Sequence, residues 1–536
     1  MMRHLWLPLV LGAALGVADP GHAEADDSVL VVEGDVAADG PDYLLVPFDV
    51  APGTVEIEVR HTSLGGDDDV LDFGVEDPEG FRGWGGGNVE PAIISTQAAS
   101  RSYLPGPLPA GTWNVVVGRA RVVSAAPRYR LEIVQRQTAT LPPATDRAPW
   151  TSVTLPSGGP RFFAGDLHVH SRDSGDARPG LDEIAAFARE RGLDFVVITD
   201  HNTTAQVERI GAIQPAIDDV LLVPGMELTT YAGHMNAFGA TRPVDHKLGL
   251  TTSLDDIVAA LSAQGAPLSI NHPNLDLGDA CIGCAWVHDV FDDLSAVEIA
   301  TGGVAQAGFI FGQGARDFWE DVLDAGHHAA PVGGSDDHRA GVDLASFGSP
   351  IGDPTTLIFA SSLSVEALQR GLRDNRTVVK LQGPNDPMIT LETTPERSDV
   401  DGRRDTVKAH VGDTITMTAH VEGGAFQTLR FVRDGRFFGE PILLDSDDVT
   451  ASVDIDVEQA DDGARYRAEV HVDGVPRTIT GHVWVAVVPQ APGGCGCAQG
   501  EVGAAVPVVW LIFRRRRRMT QTRGAHTTET PPTRLS

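Results

Sequence analysis

The chain reads as an α/β barrel flanked by two β-sandwich domains, and three observations predict it. Between residues 161 and 383 short apolar runs alternate with helical patterns, the rhythm of strand–helix units in a parallel barrel. On either side, apolar and polar residues alternate singly between turn signals, as in sandwiches. In the middle segment, histidines and carboxylates gather where the apolar runs end. In a parallel barrel those ends converge on one mouth.

Length and composition agree. At 536 residues the chain exceeds one core, so about two to four domains are expected. Hydrophobic residues at 42% and charged residues at 21% are globular values. The net charge of −33, from 41 basic and 74 acidic residues, argues against nucleic acid as a partner and leaves a small-molecule substrate as the expectation.

At the N-terminus, Arg3 precedes an apolar run from Leu5 to Val17, and Ala23-Glu24-Ala25 offers a cleavage pattern. Residues 1–25 are therefore read as a secretory signal peptide, with export to the periplasm, the outer surface or the medium. In an exported chain the close pair Cys281/Cys284 favours a local disulfide over half a zinc site, which would need two further ligands. Residues 28–137 form the first sandwich: Tyr43 to Phe48 and Thr54 to Val59 alternate, and Asp39-Gly40, Pro52-Gly53 and Pro109-Ala-Gly111 mark turns. Packing beside the central unit is its expected role. Residues 138–160 form a Pro-containing linker.

Within 161–383, Phe195-Val-Val-Ile, Val220-Leu-Leu-Val and Leu268-Ser-Ile read as strands, and Leu181–Arg191, Leu254–Gln264, Ala315–Ala325 and Val365–Arg373 as helices. Asp182, Asp255 and Glu366 lie in first turns, where negative charge suits the helix dipole. An open doubly wound sheet is the competing fold, but no Gly-rich phosphate loop supports it. Residues 387–488 alternate again, as in Thr414 to His420 and Arg465 to Val472, and read as an immunoglobulin-like sandwich. Residues 489–536 form a linker and tail. There Cys495 and Cys497 precede an apolar run, Val502 to Phe513, and then Arg514 to Arg518. At about 1.5 Å per residue that run is too short to cross a ~30 Å hydrocarbon core as a helix.

The chemistry lies in the strand-end clusters. His168 and His170 are two apart, so a strand puts both imidazoles on one face. Asp336 and His338 share the same spacing. Asp200-His201 follows Phe-Val-Val-Ile-Thr, and Glu227 follows Leu-Val-Pro-Gly-Met. His272 precedes Pro273, which is expected to hold its backbone extended. Each cluster alone is weak; five in one alternating segment point to a multi-metal site. Mixed nitrogen and oxygen ligands suit zinc, manganese or iron. Two cations sharing a water would acidify it, and no serine elbow (G-x-S-x-G) is present to supply a nucleophile instead. Asp200 and Asp337 are candidates for orienting imidazoles, and Arg172 and Arg339 for receiving an anionic group. His246, His288, His327 and His328 read as ordinary polar residues.

Asp166-Leu-His-Val-His, Ile198-Thr-Asp-His, Gly225-Met-Glu, Asn271-His-Pro and Gly334-Ser-Asp-Asp-His resemble the motifs of the polymerase-and-histidinol-phosphatase (PHP) superfamily. Gly225-Met-Glu-Leu-Thr-Thr-Tyr-Ala-Gly-His-Met-Asn is similar to exported CehA/McbA-type metallohydrolases, and the tail resembles MYXO-CTERM sorting segments. The first resemblance implies a distorted (β/α)7 TIM-like barrel holding two or three divalent metal ions. It implies that His168, His170, Glu227 and Asp336 hold one metal, and that Glu227 bridges to a second completed by His234 and His272. Asp176, His201 and His338 would hold a third, with Asp173 as the alternative to Asp176. Glu227, Asp336 and His338 would stand at the reacting centre. The implied activity is phosphoester hydrolysis. Cleavage of a carbamate, ester or amide by the same metals, and a non-catalytic surface-binding protein, are the competing readings. The tail resemblance implies processing near its cysteines and display at the membrane or cell surface.

Overall fold

The computed structural model describes residues 27–489, apart from 38, 67, 126, 279–280, 303–308 and 342–349. The signal peptide expected over residues 1–25 and the tail expected beyond Pro489 lie outside the described residues. No described helix is long and apolar enough to cross a membrane.

The N-terminal segment forms two four-stranded antiparallel sheets. One is ordered Ser28–Asp35, Arg128–Arg136, Glu56–Ser63, Ala92–Ser95; the other Tyr43–Val50, Gly111–Arg121, Val70–Asp77, Gly80–Gly86. Alternating inward residues make their common core around Trp113, Leu131, Ile133 and Ile57. The Trp113 indole is fully buried and donates to the Pro109 carbonyl at 2.9 Å.

The central segment is a curled half-barrel rather than the expected parallel barrel. Two parallel trios form it: Arg161–Val169, Phe195–Ile198 and Leu221–Thr230, then Leu268–Ile270, Leu294–Thr301 and Ala330–Gly334. Between them Gly233–Phe238 runs antiparallel to both neighbours. The cause is local. Tyr231 and Ala232 make a tight turn after Thr230, so no helical crossover reverses the chain and the next strand must run back. Thr355–Ala360 is also antiparallel, on the outer edge of Arg161–Val169. The sheet curls until the chain after Ala330–Gly334 reaches the end of Arg161–Val169: Asp336 N donates to the His168 carbonyl at 2.8 Å and His170 N to the Asp337 carbonyl at 2.9 Å.

Helices Leu181–Glu190, Leu254–Ser262 and Val365–Arg373 fall where the periodicity predicts them. Ser253 caps the second by accepting from Asp256 N, and Ser364 caps the third by accepting from Ala367 N. Phe309–Asp324 begins six residues before the predicted Ala315, and Ala205–Ile213 was not predicted. The latter carries Gln206 and Glu208 among few large apolar residues, which weakens its stripe.

The 387–488 segment, read above as a separate sandwich, has one three-stranded antiparallel sheet of its own: Met388–Thr394, Thr414–Glu422, Asp448–Asp456. Its other sheet continues the half-barrel, because Val475–Thr480 pairs with Thr377–Lys380. The linker also contributes structure: Thr154–Leu155 pairs with Leu363–Ser364.

Candidate metal centre

Glu227 is the hub. It lies midway along Leu221–Thr230, fully buried, where that strand has left its parallel partner and begun its hairpin with Gly233–Phe238. Five imidazoles face it at 2.8–3.5 Å. They divide between its two oxygens. Oε1 faces His168, His234 and His272 at 3.3, 3.2 and 3.4 Å. Oε2 faces His170 and His201 at 3.5 and 2.8 Å.

The partners arrive from several strands of the sheet. His168 and His170 close Arg161–Val169, and the spacing of two turns both inward, with ring centroids 5.2 Å apart. His234 enters from the antiparallel strand, opposite Thr229. His272 follows Leu268–Ile270 with φ +26°, and Asp336 follows Ala330–Gly334 with φ +55°. His272 is therefore not extended as expected ahead of Pro273; packing at the mouth overrides the local preference. Left-handed backbone at two such side chains is strain of a kind that clusters at functional sites. Asp336 Oδ1 lies 3.3 Å from His168 Nε2 and 3.0 Å from His170 Nε2. At the rim, Asp176 Oδ2 lies 3.4 Å from His201 Nε2 and 3.3 Å from His338 Nε2. All nine sequence-predicted residues thus meet. Asp173 does not: its buried carboxylate faces Arg209 Nε at 2.8 Å.

The orienting groups are not the predicted ones. Asp200 accepts from Ser171 N and Oγ, both at 2.6 Å. Asp337 caps a turn by accepting from the backbone of Arg339 and Ala340. Arg172 pairs with Asp146 at 2.7 Å. The residue missed is Glu298, whose Oε1 accepts from His168 Nδ1 at 3.1 Å while Oε2 accepts from His272 N at 2.8 Å. A lone carboxylate inside the buried run Leu294–Thr301 was the available signal. His272 Nδ1 donates to the Cys284 carbonyl at 3.2 Å and His338 Nδ1 to the Asp336 carbonyl at 2.8 Å. These bonds fix the rings and leave each Nε2 facing the cluster, as in oriented metal-site histidines.

Despite such proximity, His168 Nε2, both nitrogens of His170 and His234, Glu227 Oε2 and Asp336 Oδ1 are buried with no hydrogen-bond partner. Buried polar atoms without partners are costly and rare. Here they aim at shared volumes, and donor atoms of His168, His170, Glu227 and Asp336 all lie within 4.8 Å of one another. Those of His170, His201 and His338 do likewise. The donor set fits divalent cations.

The charges agree. Burial alone would raise Glu227, but His168, His201 and His234 hold it well below the carboxylate range. Burial would lower His168, but Asp336, Glu227 and Glu298 raise it well above the usual imidazole value. His338 rises to about 9, with Asp176 outweighing burial. His170 falls to about 3, through burial and the neighbouring His338 and His201. Imidazolium protons stand where cations would, so metal and proton compete for the cluster.

The N-terminal sheets abut this centre. Tyr231, in the turn between Glu227 and His234, donates to Asp72 Oδ2 at 2.7 Å. Arg101 Nη1 donates to the Ala177 carbonyl at 3.0 Å, and Thr203 Oγ1 to the Ser102 carbonyl at 2.9 Å. A Cβ at Gly175 would collide with the Gly85 carbonyl.

No family model and no curated protein matches the chain. Among solved structures it is similar to a protein of Bifidobacterium adolescentis described as a metal-dependent phosphoesterase, at 15% identity and a TM-score of 0.24, over 34% of this chain and 92% of that one. It is also similar to the Bacteroides uniformis β-glucuronidase, at 10% identity and a TM-score of 0.16, over 86% and 60%.

Proposed function

We propose that this chain is a metal-dependent hydrolase of PHP type, acting on a small phosphoester. The observation that carries the proposal is the gathering of five imidazoles around the two oxygens of Glu227, with His168 Nε2, both nitrogens of His170 and His234, and Glu227 Oε2 buried without hydrogen-bond partners. On this reading the curled half-barrel is a distorted (β/α)7 barrel. His168, His170, Glu227 and Asp336 would hold one cation, Glu227, His234 and His272 a second, and Asp176, His201 and His338 a third. Zinc, manganese or iron would supply Lewis acidity there, lowering the pKa of water and polarising a phosphoryl oxygen.

The chain's own residues do the rest. Glu227 holds two positions at a fixed separation, because its carboxylate is locked by burial and by the Asn271 amide donating to Oε1 at 3.0 Å. Glu298 aims His168 and ties down the backbone of His272. Asp176 reaches in from the rim and is the most exposed of the nine, so a substrate entering from solvent meets it first. Every histidine must be neutral to ligate, and activity should fall as acid protonates the set. Export belongs to the same proposal: the Cys281–Cys284 disulfide is in keeping with an oxidising compartment.

The test is turnover of p-nitrophenyl phosphate, bis-p-nitrophenyl phosphate and naphthyl esters, with and without added manganese or zinc. Metal-dependent phosphate release that is abolished by His170→Ala supports the proposal. Turnover of esters alone would replace the phosphoester with a carbonyl substrate, and no turnover by metal-loaded protein would contradict the hydrolase.

A further inference from the structure

Cys281 and Cys284 are joined by a disulfide, in a loop that lies directly on the Glu227–His234 hairpin. At Gly283, φ +77°, a Cβ would meet the Thr230 carbonyl at 2.6 Å. Cys284 is buried, whereas Cys281 is partly exposed. The Cys284 Sγ and one nitrogen each of His234 and His272 lie within 4.8 Å of one another. His234 is 5% exposed, and neither of its ring nitrogens has a hydrogen-bond partner.

Glu227, His234 and His272 make three protein ligands, the number that catalytic zinc sites use, and such sites keep the fourth position open. Four protein ligands make a closed, structural site. A disulfide sulfur carries no charge and is a poor ligand, whereas a thiolate binds such cations strongly and sheds its proton on binding. Tetrahedral bonds of about 2.0–2.3 Å separate ligand atoms by roughly 3.3–3.8 Å. The Cys284 Sγ, within 4.8 Å of one nitrogen each of His234 and His272, is a short movement of the loop from that spacing.

We propose that the Cys281–Cys284 disulfide holds this cation site open, and that reduction closes it by releasing the Cys284 thiolate into the fourth position. A dithiol supplies two electrons and two protons: the S–S bond breaks, two thiols form and the dithiol becomes a disulfide. Cys284 then loses its proton to solvent on ligating, and Cys281 keeps its own. The inference rests on the metallohydrolase reading and adds redox control of its centre.

Cobalt(II) tests it, because cobalt bound to thiolate shows a sulfur-to-metal charge-transfer absorption that nitrogen and oxygen ligands do not give. Full-length protein is loaded with cobalt in four forms: oxidised, reduced with a dithiol that is then removed, Cys281→Ser, and reduced Cys284→Ser. The last retains Cys495 and Cys497 as a background control. The band should appear in the reduced wild type and in Cys281→Ser, and be missing from oxidised protein and reduced Cys284→Ser. Cobalt bound in every form with the same spectrum would overturn the redox proposal and leave the hydrolase reading standing. No cobalt bound even by oxidised wild type would overturn both.

Discussion

His246 should cost the protein stability in mild acid. Its imidazole is fully buried against the edges of Trp84, Phe81 and Tyr43, with ring centroids 4.6, 4.9 and 5.6 Å away. Neither ring nitrogen has a hydrogen-bond partner. Burial, followed by the neighbouring Lys247 charge, pushes its pKa from the usual 6.5 down to about 3, with Asp245 opposing. The unfolded chain therefore takes up a proton near pH 6.5 that the folded chain refuses until about pH 3. The group's contribution is intact above pH 6.5 and is lost as pH falls from there toward 3. Between pH 7 and pH 5 the loss is about 2 kcal/mol, at 1.36 kcal/mol per unit. His246→Phe keeps a ring in the same box and removes two unpartnered nitrogens, so it should stabilise the protein at pH 7 by about 1 kcal/mol. Urea unfolding followed by tryptophan fluorescence at both pH values measures this, since groups common to both proteins cancel in the comparison. The variant should lose about 2 kcal/mol less than wild type on going to pH 5. An equal loss in both proteins would refute the reasoning.

Three further outcomes follow from the centre. Glu298→Ala frees the rings of His168 and His272 and should weaken metal affinity about 10–100-fold in a chelator competition, with the fold retained in far-UV circular dichroism. Gly175→Ala drives a Cβ into the Gly85 carbonyl beside Asp176 and should cost about 1–3 kcal/mol in urea unfolding; an unchanged midpoint would mean that the N-terminal sheets do not grip that loop. Stripping metal with a chelator should lower thermal stability, by about 2.7 kcal/mol for a cation present at a hundred times its Kd, and re-addition should restore it.

Much of the candidate centre was legible because its candidate ligands sit at or near strand ends, two pairs of them with period-2 spacing. His168/His170 and Asp336/His338 announce a shared face whatever the sheet's topology. The orienting groups were not legible, because their partners are distant in sequence. Glu298 acts on His168 across the sheet, and Cys284 acts on His272 through a backbone carbonyl that no residue type marks. Asp200 and Asp337 adjoin candidate ligands in sequence, yet their carboxylates turn to Ser171 and to a turn backbone. His246 was read as an ordinary polar residue, since nothing local shows that two domains close around it. In the fold, strand–helix alternation was visible, but the antiparallel Gly233–Phe238 was not, because it follows a tight turn where a crossover helix was expected. The merging of the 387–488 segment with the half-barrel depends on one edge pairing, Val378 opposite Thr480, which alternation within either strand does not specify.

The central claim is that Glu227 gathers imidazoles around cations, and metal content per chain of the purified, folded protein measures it directly. The account predicts two or three divalent ions per wild-type chain and a loss of at least one in Glu227→Gln. A well-folded wild type that binds no divalent ion after incubation with zinc, manganese or iron(II) would contradict it.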